Sequence, residues 1–289
     1  MEFRTVVDIP KPGFQIEPCE EMLFVGSCFA DSIGQRFLEE RFHATVNPYG
    51  VMYNPASVMH TVERWLTLQT EEGGGRLPRV VFITLGTNHV YRLKETGEIV
   101  DNCQKRPAAL FQEEQLTVEE CADYLRRTID LLRSNRPDVQ VVLTVSPIRY
   151  RKYGYHESQL SKATLLLAVD SLMSLQPPNF LDEPSGKAER GGLCYFPAYE
   201  IVVDELRDYR FYKEDMLHPS AQAVEYIWQQ LADHYFSPAA KQFLAEWAPL
   251  KAVLGHKPFN PESEEYRALM DKTMLKVAAL KKKYPNFAL

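Results

Sequence analysis

A serine directly followed by a cysteine, Ser27 and Cys28, stands where a short apolar run meets a helical pattern. Gly26, just before them, allows a tight turn. A serine at the start of a helix usually caps it by accepting a hydrogen bond from a free backbone N–H. The same position offers a nucleophile the positive end of the helix dipole and N–H groups that can stabilise an oxyanion. The junction therefore predicts either a simple helix cap or a nucleophilic centre.

Asp215 and His218 could supply the base that a serine nucleophile needs. Two residues separate them, and Pro219 follows at the start of a helical pattern. In a turn, this spacing lets the carboxylate bind one imidazole nitrogen while the other nitrogen faces a pocket. A surface loop is the alternative, because Asp-x-x-His is common by chance. The pairing with the distant Ser27 depends entirely on the fold.

Gly50 and Asn88 follow two predicted strands and could donate hydrogen bonds to a developing oxyanion. Each also suits an ordinary turn. Arg149 leaves the end of another predicted strand, where it could hold a carboxylate or a sugar hydroxyl. His89 and Tyr91 could also reach a substrate, although histidines and tyrosines in loops are more often packing residues. These five residues complete the set of candidates for binding and oxyanion stabilisation.

Cys28 is the rival nucleophile, because a thiol at a helix N-terminus can be reactive with a base such as His218. Successive residues entering a helix diverge by about 100°. If Ser27 faces a pocket, Cys28 should therefore turn into the protein, where free cysteines usually lie. We predict a packing role for Cys28. Ser161 and Lys162 are not predicted to form a catalytic dyad, because adjacent helical residues do not face each other.

The elements that must position these residues alternate between strands and helices. Continuous apolar runs at 21–27, 79–87 and 139–147 predict strands buried on both faces, and 43–50 predicts a strand nearer an edge. This alternation predicts an α/β fold with a mainly parallel sheet in a three-layer α/β/α arrangement, whose ligands lie beyond the carboxyl ends of the strands. Helical patterns cover 29–42, 55–68, 117–135, 158–175 and 220–236, and the third opens with a capping box of Thr117 and Glu120.

Two insertions, at about 90–115 and 176–200, interrupt the alternation and are typical of lids or binding loops. Beyond residue 238 the pattern is helical only. We therefore predict one domain over 1–238 with a helical extension over 239–289 packed on it.

Composition excludes several classes of protein. The 289 residues carry a net charge of −6 and a pI near 5.7, so no basic surface indicates nucleic-acid binding. The five cysteines are widely spaced and form no Cys-x-x-Cys pair, which indicates neither a disulfide framework nor a zinc site. No run of residues is apolar enough for a transmembrane helix, and the N-terminus has no signal-peptide pattern. The sequence predicts a cytoplasmic protein of unknown oligomeric state that uses no metal or other cofactor.

Several of these motifs together resemble the GSCFA family, a branch related to the SGNH (GDSL-type) hydrolases. The order of the nucleophile turn, Gly50, Gly-x-Asn at 86–88 and Asp-x-x-His is that of the SGNH blocks. The resemblance implies a flavodoxin-like fold, Ser27 as nucleophile, His218 as base and Asp215 as its partner. It further implies an oxyanion hole of Gly50, Asn88 and the Ser27 N–H. Further motifs that resemble the family lie at 26–30, 47–57, 84–92, 101–107, 144–154, 195–212 and 215–228.

The resemblance implies a serine hydrolase, an esterase or deacylase, that acts on an O-acyl ester such as an acylated carbohydrate. One departure motivates an alternative: SGNH enzymes have Gly-Asp-Ser at the nucleophile, whereas no aspartate separates Gly26 from Ser27 here. The alternatives are a protein that binds a glycan or acyl ligand without cleaving it, and an acyltransferase that uses the same site.

Overall fold

The main sheet of the protein is parallel and has five strands. The computed structural model describes residues 4–71, 76–101, 103, 105–175 and 191–287. In the sheet the strands stand in the order β2-β1-β3-β7-β8, which is the flavodoxin-like order, with its topological switch between β1 and β3. The strands are β1 (Glu21–Gly26), β2 (His43–Val46), β3 (Val80–Leu85), β7 (Gln140–Val145) and β8 (Leu193–Tyr195).

Helices cover both faces of this sheet, so that the fold has the three layers predicted from the sequence. Side chains alternate along β1: Met22 and Phe24 enter one core, whereas Leu23 and Val25 enter the other. The helices of the first core are α1 (Cys28–Glu39), α6 (Ala221–Tyr235), α7 (Pro238–Leu254) and α8 (Glu264–Lys283); those of the second are α2 (Pro55–Glu71), α3 (Val118–Asn135) and α4 (Gly154–Ser174).

The sequence predicted the central strands and most helices within a few residues. The strand predicted nearer an edge is β2, which is the edge strand next to β1. Thr117 and Glu120 form the predicted capping box at the start of α3. Helix α4 starts at Gly154, four residues before its predicted start at 158. Its first turn is mostly exposed, so no apolar periodicity marked it.

The first insertion is folded, although the sequence predicted a loop over 90–115. It contains a second, antiparallel sheet in the order β5-β4-β6. Val90 is fully buried in its central strand and gives this sheet an apolar contact with the second core. The strands are β4 (His89–Leu93), β5 (Ile99–Val100) and β6 (Phe111–Gln115).

The second predicted insertion lies partly outside the described residues, at 176–190. Its remainder forms β8 and the short helix α5 (Ala198–Glu200), which continues as a π-helical segment, Ile201–Leu206. Ile201, Val202 and Leu206 of this segment are buried in the first core.

Helices α7 and α8 pack against the first core through buried side chains. Phe243, Trp247, Val277 and Leu280 all belong to that core. Within the described part of the chain, no helix has both the length and the apolar character needed to cross a membrane.

Candidate functional site

The turn after β1 is built around Gly26. Its φ of +137° is unfavourable for residues with a side chain, and a Cβ placed here would lie 2.0 Å from the Thr84 carbonyl oxygen. The Gly26 N–H donates to Asn47 Oδ1 at 2.9 Å. The contact of β1 with the Thr84 carbonyl of β3 therefore requires a glycine directly before the candidate nucleophiles.

Ser27 is the N-cap of α1 and is held by Thr84. Its Oγ accepts from the Phe29 N–H at 3.2 Å and lies 3.0 Å from Thr84 Oγ1. The Ser27 N–H donates to both the carbonyl oxygen and Oγ1 of Thr84. Only 1% of Ser27 is exposed, and no hydrogen bond joins it to His218 among the described residues.

Cys28 packs against the first core, in line with its predicted packing role, but it is more exposed than Ser27. The thiol is half-buried, and its Sγ lies 3.4 Å from the Tyr53 hydroxyl. The reason is that Ser27 still follows the register of β1, with its N–H bonded to β3, so its side chain faces Thr84 and not solvent. Cys28, the first residue of α1, is the one that leaves the sheet.

Asp215 and His218 form a hydrogen-bonded pair, as their spacing suggested. Asp215 Oδ2 lies 2.6 Å from His218 Nδ1, and Asp215 Oδ1 accepts from the backbone N–H groups of His218 and Leu217. These two N–H groups, followed by the imidazole, lower the pKa of Asp215 to about 2. His218 Nε2 has no hydrogen-bond partner in the described part of the chain. The pair is thus a carboxylate and an oriented imidazole with one nitrogen available.

Arg149, a predicted substrate-binding residue, braces the loop that carries this pair. Its N–H donates to the Leu217 carbonyl at 3.0 Å, and its guanidinium donates to the Met216 carbonyl at 3.1 Å. The guanidinium also lies over the Tyr155 ring, 4.2 Å from the centroid. Arg149 therefore fixes the position of the Asp215–His218 loop relative to the end of β7.

A cavity of about 270 Å³ opens beside Arg149. It lies between the start of α4 and the segment that follows α5. Its lining combines four tyrosines with charged residues of both signs, and it includes Arg149, Lys162, Arg207, Asp208, Tyr155, Tyr199, Tyr209 and Tyr212.

Gly50 and Asn88, the two remaining oxyanion candidates, both have acceptors within the protein. The exposed Gly50 donates its N–H to the Asn47 carbonyl at 2.8 Å. Asn88 is 2% exposed, and its Nδ2 donates to the Leu116 carbonyl at 2.7 Å. Its Oδ1 is buried without a partner among the described residues. The second hydrogen of Nδ2 is the only side-chain donor that this arrangement leaves on Asn88.

Ser161 and Lys162 do not bond each other but bind the ends of two neighbouring strands. The Lys162 Nζ donates to the Gly86 and Ser146 carbonyls, both at 2.7 Å. The Ser161 Oγ accepts from the Asn88 N–H at 2.9 Å. Lys162 is fully buried, and this burial lowers its pKa to about 7. α4 thus holds the segment after β3 against the segment after β7.

His89 and Tyr91 lie in the antiparallel sheet and contact Tyr153. The His89 ring stacks on Tyr153 with a centroid distance of 4.0 Å, and burial lowers the pKa of His89. The hydroxyls of Tyr91 and Tyr153 are 3.1 Å apart. Tyr153 contacts Tyr150, whose ring lies 5.9 Å from that of Tyr53. These tyrosines connect the antiparallel sheet to Cys28.

Comparison with known proteins places this site in a family. A model described as the GSCFA family matches residues 21–74 and 76–231, which include every candidate residue above. The chain belongs to the GSCFA family. A second model, described as the C-terminal domain of the GSCFA domain protein, matches residues 247–289 of this GSCFA chain.

Solved structures similar to this GSCFA chain include three esterases of low sequence identity. One is a serine-to-alanine mutant of an acetyl esterase with an acetate ion, with 11% identity, a TM-score of 0.43, and coverage of 78% of this chain and 99% of that one. A carbohydrate esterase of family 3 from Talaromyces cellulolyticus has 11% identity, a TM-score of 0.40 and the same coverages.

The third is a family two carbohydrate esterase from Clostridium thermocellum in complex with cellohexaose. It has 13% identity, a TM-score of 0.39, and coverage of 79% of this chain and 67% of that one. No curated protein matches the chain in sequence. Because these TM-scores all lie below 0.5, the similarities support no conclusion about the activity of this chain.

Sequence reasoning missed three residues that organise the site in this GSCFA chain. Thr84 belongs to the buried run of β3, and its contact with Ser27 depends on strand register. Tyr53 lies in the predicted strand-end segment but carried no distinguishing spacing. Lys162 did carry a signal, because it lies three residues before Leu165 and seven before Val169, on the buried face of α4.

Proposed function

We propose that the chain is an acyl-ester hydrolase that removes O-acyl groups from a carbohydrate or a related small molecule. The observation that carries this proposal is the Asp215–His218 pair, with an Nδ1 to Oδ2 distance of 2.6 Å and with Nε2 available. An imidazole held in this way is the base that activates a hydroxyl or thiol nucleophile. The SGNH-like order of the sequence blocks supports the same reaction.

The proposed reaction uses His218 for both proton transfers. His218 Nε2 takes the proton of the nucleophile as it attacks the acyl carbonyl, and later gives a proton to the leaving alcohol. Asp215, with its low pKa, stays ionised and stabilises the imidazolium that forms between these steps. The nucleophile comes from the turn after β1, at the switch between β1 and β3 where ligands of such sheets bind.

Ser27 is the nucleophile that the family resemblance implies. To attack, its hydroxyl has to leave Thr84 Oγ1 and the Phe29 N–H and rotate towards the carboxyl edge of the sheet. The implied oxyanion donors are the Ser27 N–H, the Gly50 N–H and Asn88 Nδ2. In this role the two backbone N–H groups have to exchange their present acceptors for the oxyanion, whereas Nδ2 has a second hydrogen to offer.

A carbohydrate is the proposed alcohol portion because of the cavity beside Arg149. Tyrosine rings there offer flat apolar faces with polar edges, which suits a sugar ring. Arg149 has further guanidinium N–H groups for a sugar hydroxyl or carboxylate beyond the one bound to Met216. His89 and Tyr91 are proposed to bind the substrate beside Tyr153, where the contacts among the tyrosines reach the antiparallel sheet.

The test is hydrolysis of a library of aryl esters and acetylated sugars by the wild type and by a His218→Ala variant. We expect kcat of the variant to fall by about 10²–10⁴-fold, as for loss of a general base. His256→Ala is the matched control, because His256 is an exposed histidine in the segment between α7 and α8. It should retain full activity.

Three outcomes would contradict the proposal. Equal activity of His218→Ala and wild type would remove His218 from the reaction. Absence of hydrolysis, with saturable glycan binding in a calorimetric titration, would favour the binding protein. Transfer of the acyl group to an added sugar in preference to water would favour an acyltransferase, which uses the same groups but excludes water.

A further inference from the structure

Cys28 and Ser27 differ in which of their atoms are free to react. We infer that the thiol of Cys28, and not the hydroxyl of Ser27, is the nucleophile of this site. The inference rests on the proposed hydrolase for the reaction and for the base, His218. It assigns the covalent intermediate to a different side chain, and therefore predicts a thioester in place of an oxygen ester.

Ser27 has the contacts of a structural cap. Its hydroxyl is buried between Thr84 Oγ1 and the Phe29 N–H, so it already has two hydrogen-bond partners within the protein. Rotating it away from this position would leave the Phe29 N–H without its acceptor in a buried region and would remove one of the two contacts of the Thr84 hydroxyl, which is unfavourable. The hydrogen bond that caps α1 exists only while the Ser27 hydroxyl keeps this position.

The backbone around Cys28 provides a free oxyanion donor that Ser27 lacks. The Ser27 N–H is engaged by two atoms of Thr84, and the N–H groups of Phe29 and Ala30 donate to the side chain and carbonyl of Ser27. The Cys28 N–H has no acceptor among the described residues. As the first N–H of α1, it lies at the positive end of the helix, on the residue that carries the thiol.

Tyr53 places a second donor beside the sulfur. Its hydroxyl lies 3.4 Å from Cys28 Sγ. Burial first, and then the hydrogen bond with Cys28, raises the pKa of Tyr53, so that its hydroxyl keeps its proton. A protonated hydroxyl in this position donates to a thiolate and stabilises it.

A chain of contacts links Tyr53 to the loop of the base. The Tyr53 and Tyr150 rings lie 5.9 Å apart, and Tyr150 follows Arg149 in the chain. Arg149 in turn binds the carbonyls of Met216 and Leu217, immediately before His218. Cys28 and the loop that carries His218 therefore both contact the group formed by Tyr53, Tyr150 and Arg149.

The reaction on Cys28 balances with water as the only co-substrate. His218 Nε2 takes the thiol proton, and Sγ forms a bond to the acyl carbon while the carbonyl oxygen becomes negative near the Cys28 N–H. The bond from the acyl carbon to the ester oxygen then breaks, and the alcohol leaves with the proton from His218. Water, deprotonated by His218, attacks the thioester, the C–S bond breaks, and the sulfur regains the proton as the carboxylic acid leaves.

Four variants test this assignment: Cys28→Ala, Cys28→Ser, Ser27→Ala and, as the matched control, Cys103→Ser. Cys103 is the other partly buried free cysteine of the described residues, whereas Cys19, Cys121 and Cys194 are buried. Each variant is assayed with the ester that the wild type hydrolyses best, and a thermal melt followed by circular dichroism shows whether it is folded. Iodoacetamide is the probe for the thiol, with the alkylated peptide located by mass spectrometry.

We expect Cys28→Ala to lose at least about 10³-fold in kcat. Ser27→Ala should melt earlier but retain kcat within about tenfold at a temperature where it is folded. Iodoacetamide should inactivate the wild type and Cys103→Ser at the same rate while it alkylates Cys28, and it should leave any residual activity of Cys28→Ser unchanged. A short reaction with a slow aryl ester should add one acyl group to the peptide that contains Cys28, at the sulfur.

The failures are distinguishable. If folded Ser27→Ala is inactive and Cys28→Ala is active, or if the acyl group is found on Ser27, the inference is wrong and the proposed hydrolase stands. If the wild type hydrolyses no ester in the library, the proposed function is wrong and the inference falls with it. Retained activity of both Cys28 variants after complete alkylation would also overturn the inference.

Discussion

Gly26 shows how a single residue sets the geometry of the turn that carries both candidate nucleophiles. The residue pairs with Thr84 in the parallel register of β1 and β3. Its positive φ and the nearby Thr84 carbonyl leave no room for a side chain. The contact between the two strands at the switch point therefore requires a residue without a Cβ.

Gly26→Ala should destabilise the protein by more than about 3 kcal/mol, because it combines an unfavourable φ with a steric clash against backbone. Gly50→Ala is the matched control. Gly50 also has a positive φ, of +90°, but a Cβ there meets no atom within 4 Å. We expect it to cost only the backbone strain, roughly 1–2 kcal/mol. Urea unfolding measures both, and equal costs would contradict the steric explanation.

Asp215 should make stability depend on pH in the acid range. Its pKa is lowered to about 2 from an ordinary value of 3.8, so the folded state favours the ionised form. The resulting stabilisation is present above about pH 4 and is lost as the pH falls towards 2. The free energy of unfolding of Asp215→Asn should therefore fall less than that of the wild type between these pH values. Parallel acid profiles for the two proteins would contradict this.

At the scale of elements, α4 links two neighbouring strand ends at the carboxyl edge of the sheet. Ser161 holds the segment after β3, and Lys162 joins that segment to the end of β7. Two adjacent residues of a helix can do this because they bind two different strand ends. Ser161 and Lys162 therefore position the two strand ends, and a motif for catalytic pairs does not indicate such a role.

Lys162→Met should orphan the Gly86 and Ser146 carbonyls and cost roughly 1–3 kcal/mol at about pH 9, where the lysine of the folded protein is neutral. Burial lowers the pKa of Lys162 to about 7 from 10.5. Between these values the unfolded chain binds a proton that the folded chain does not, so wild-type stability gains from this group as the pH rises.

Lys162→Met should lack this pH-dependent contribution to stability. Urea unfolding at a series of pH values above 7 measures the difference between the two proteins. A difference in unfolding free energy that does not change with pH would show that Lys162 keeps its ordinary pKa in the folded state.

The same elements show what the sequence could and could not predict. β1, β3 and β7 were predicted because strands covered on both faces are continuous apolar runs. β5 and β8 have only two and three residues, which is too short for a periodic pattern. Asp215 and His218 contact each other through local spacing, so their pairing was predictable. The contact of Ser27 with Thr84 was not, because it depends on the register between strands that are distant in sequence.

At the scale of the whole molecule, side chains of the C-terminal helices form part of the first core, which also contains the buried face of α1. Trp247 of α7 is fully buried and its indole N–H donates to the Glu39 carbonyl at the end of α1. Its ring meets Phe287 with centroids 5.3 Å apart. α1 begins at the candidate nucleophiles and ends against α7. The C-terminal helices therefore support the helix on which the candidate site is built.

Trp247→Ala should destabilise the whole protein by about 3–5 kcal/mol, since it leaves a cavity where the largest fully buried side chain was. Phe259→Ala is the matched control, because Phe259 is an aromatic residue that is fully exposed between α7 and α8. It should change stability by no more than about 0.5 kcal/mol. Urea unfolding followed by both tryptophan fluorescence and circular dichroism tests this. If the sheet is as stable in Trp247→Ala as in the wild type, with α7 and α8 alone melting early, then the C-terminal helices are an appendage and not part of the core. If both probes shift together, the site and the C-terminal helices unfold as one cooperative unit.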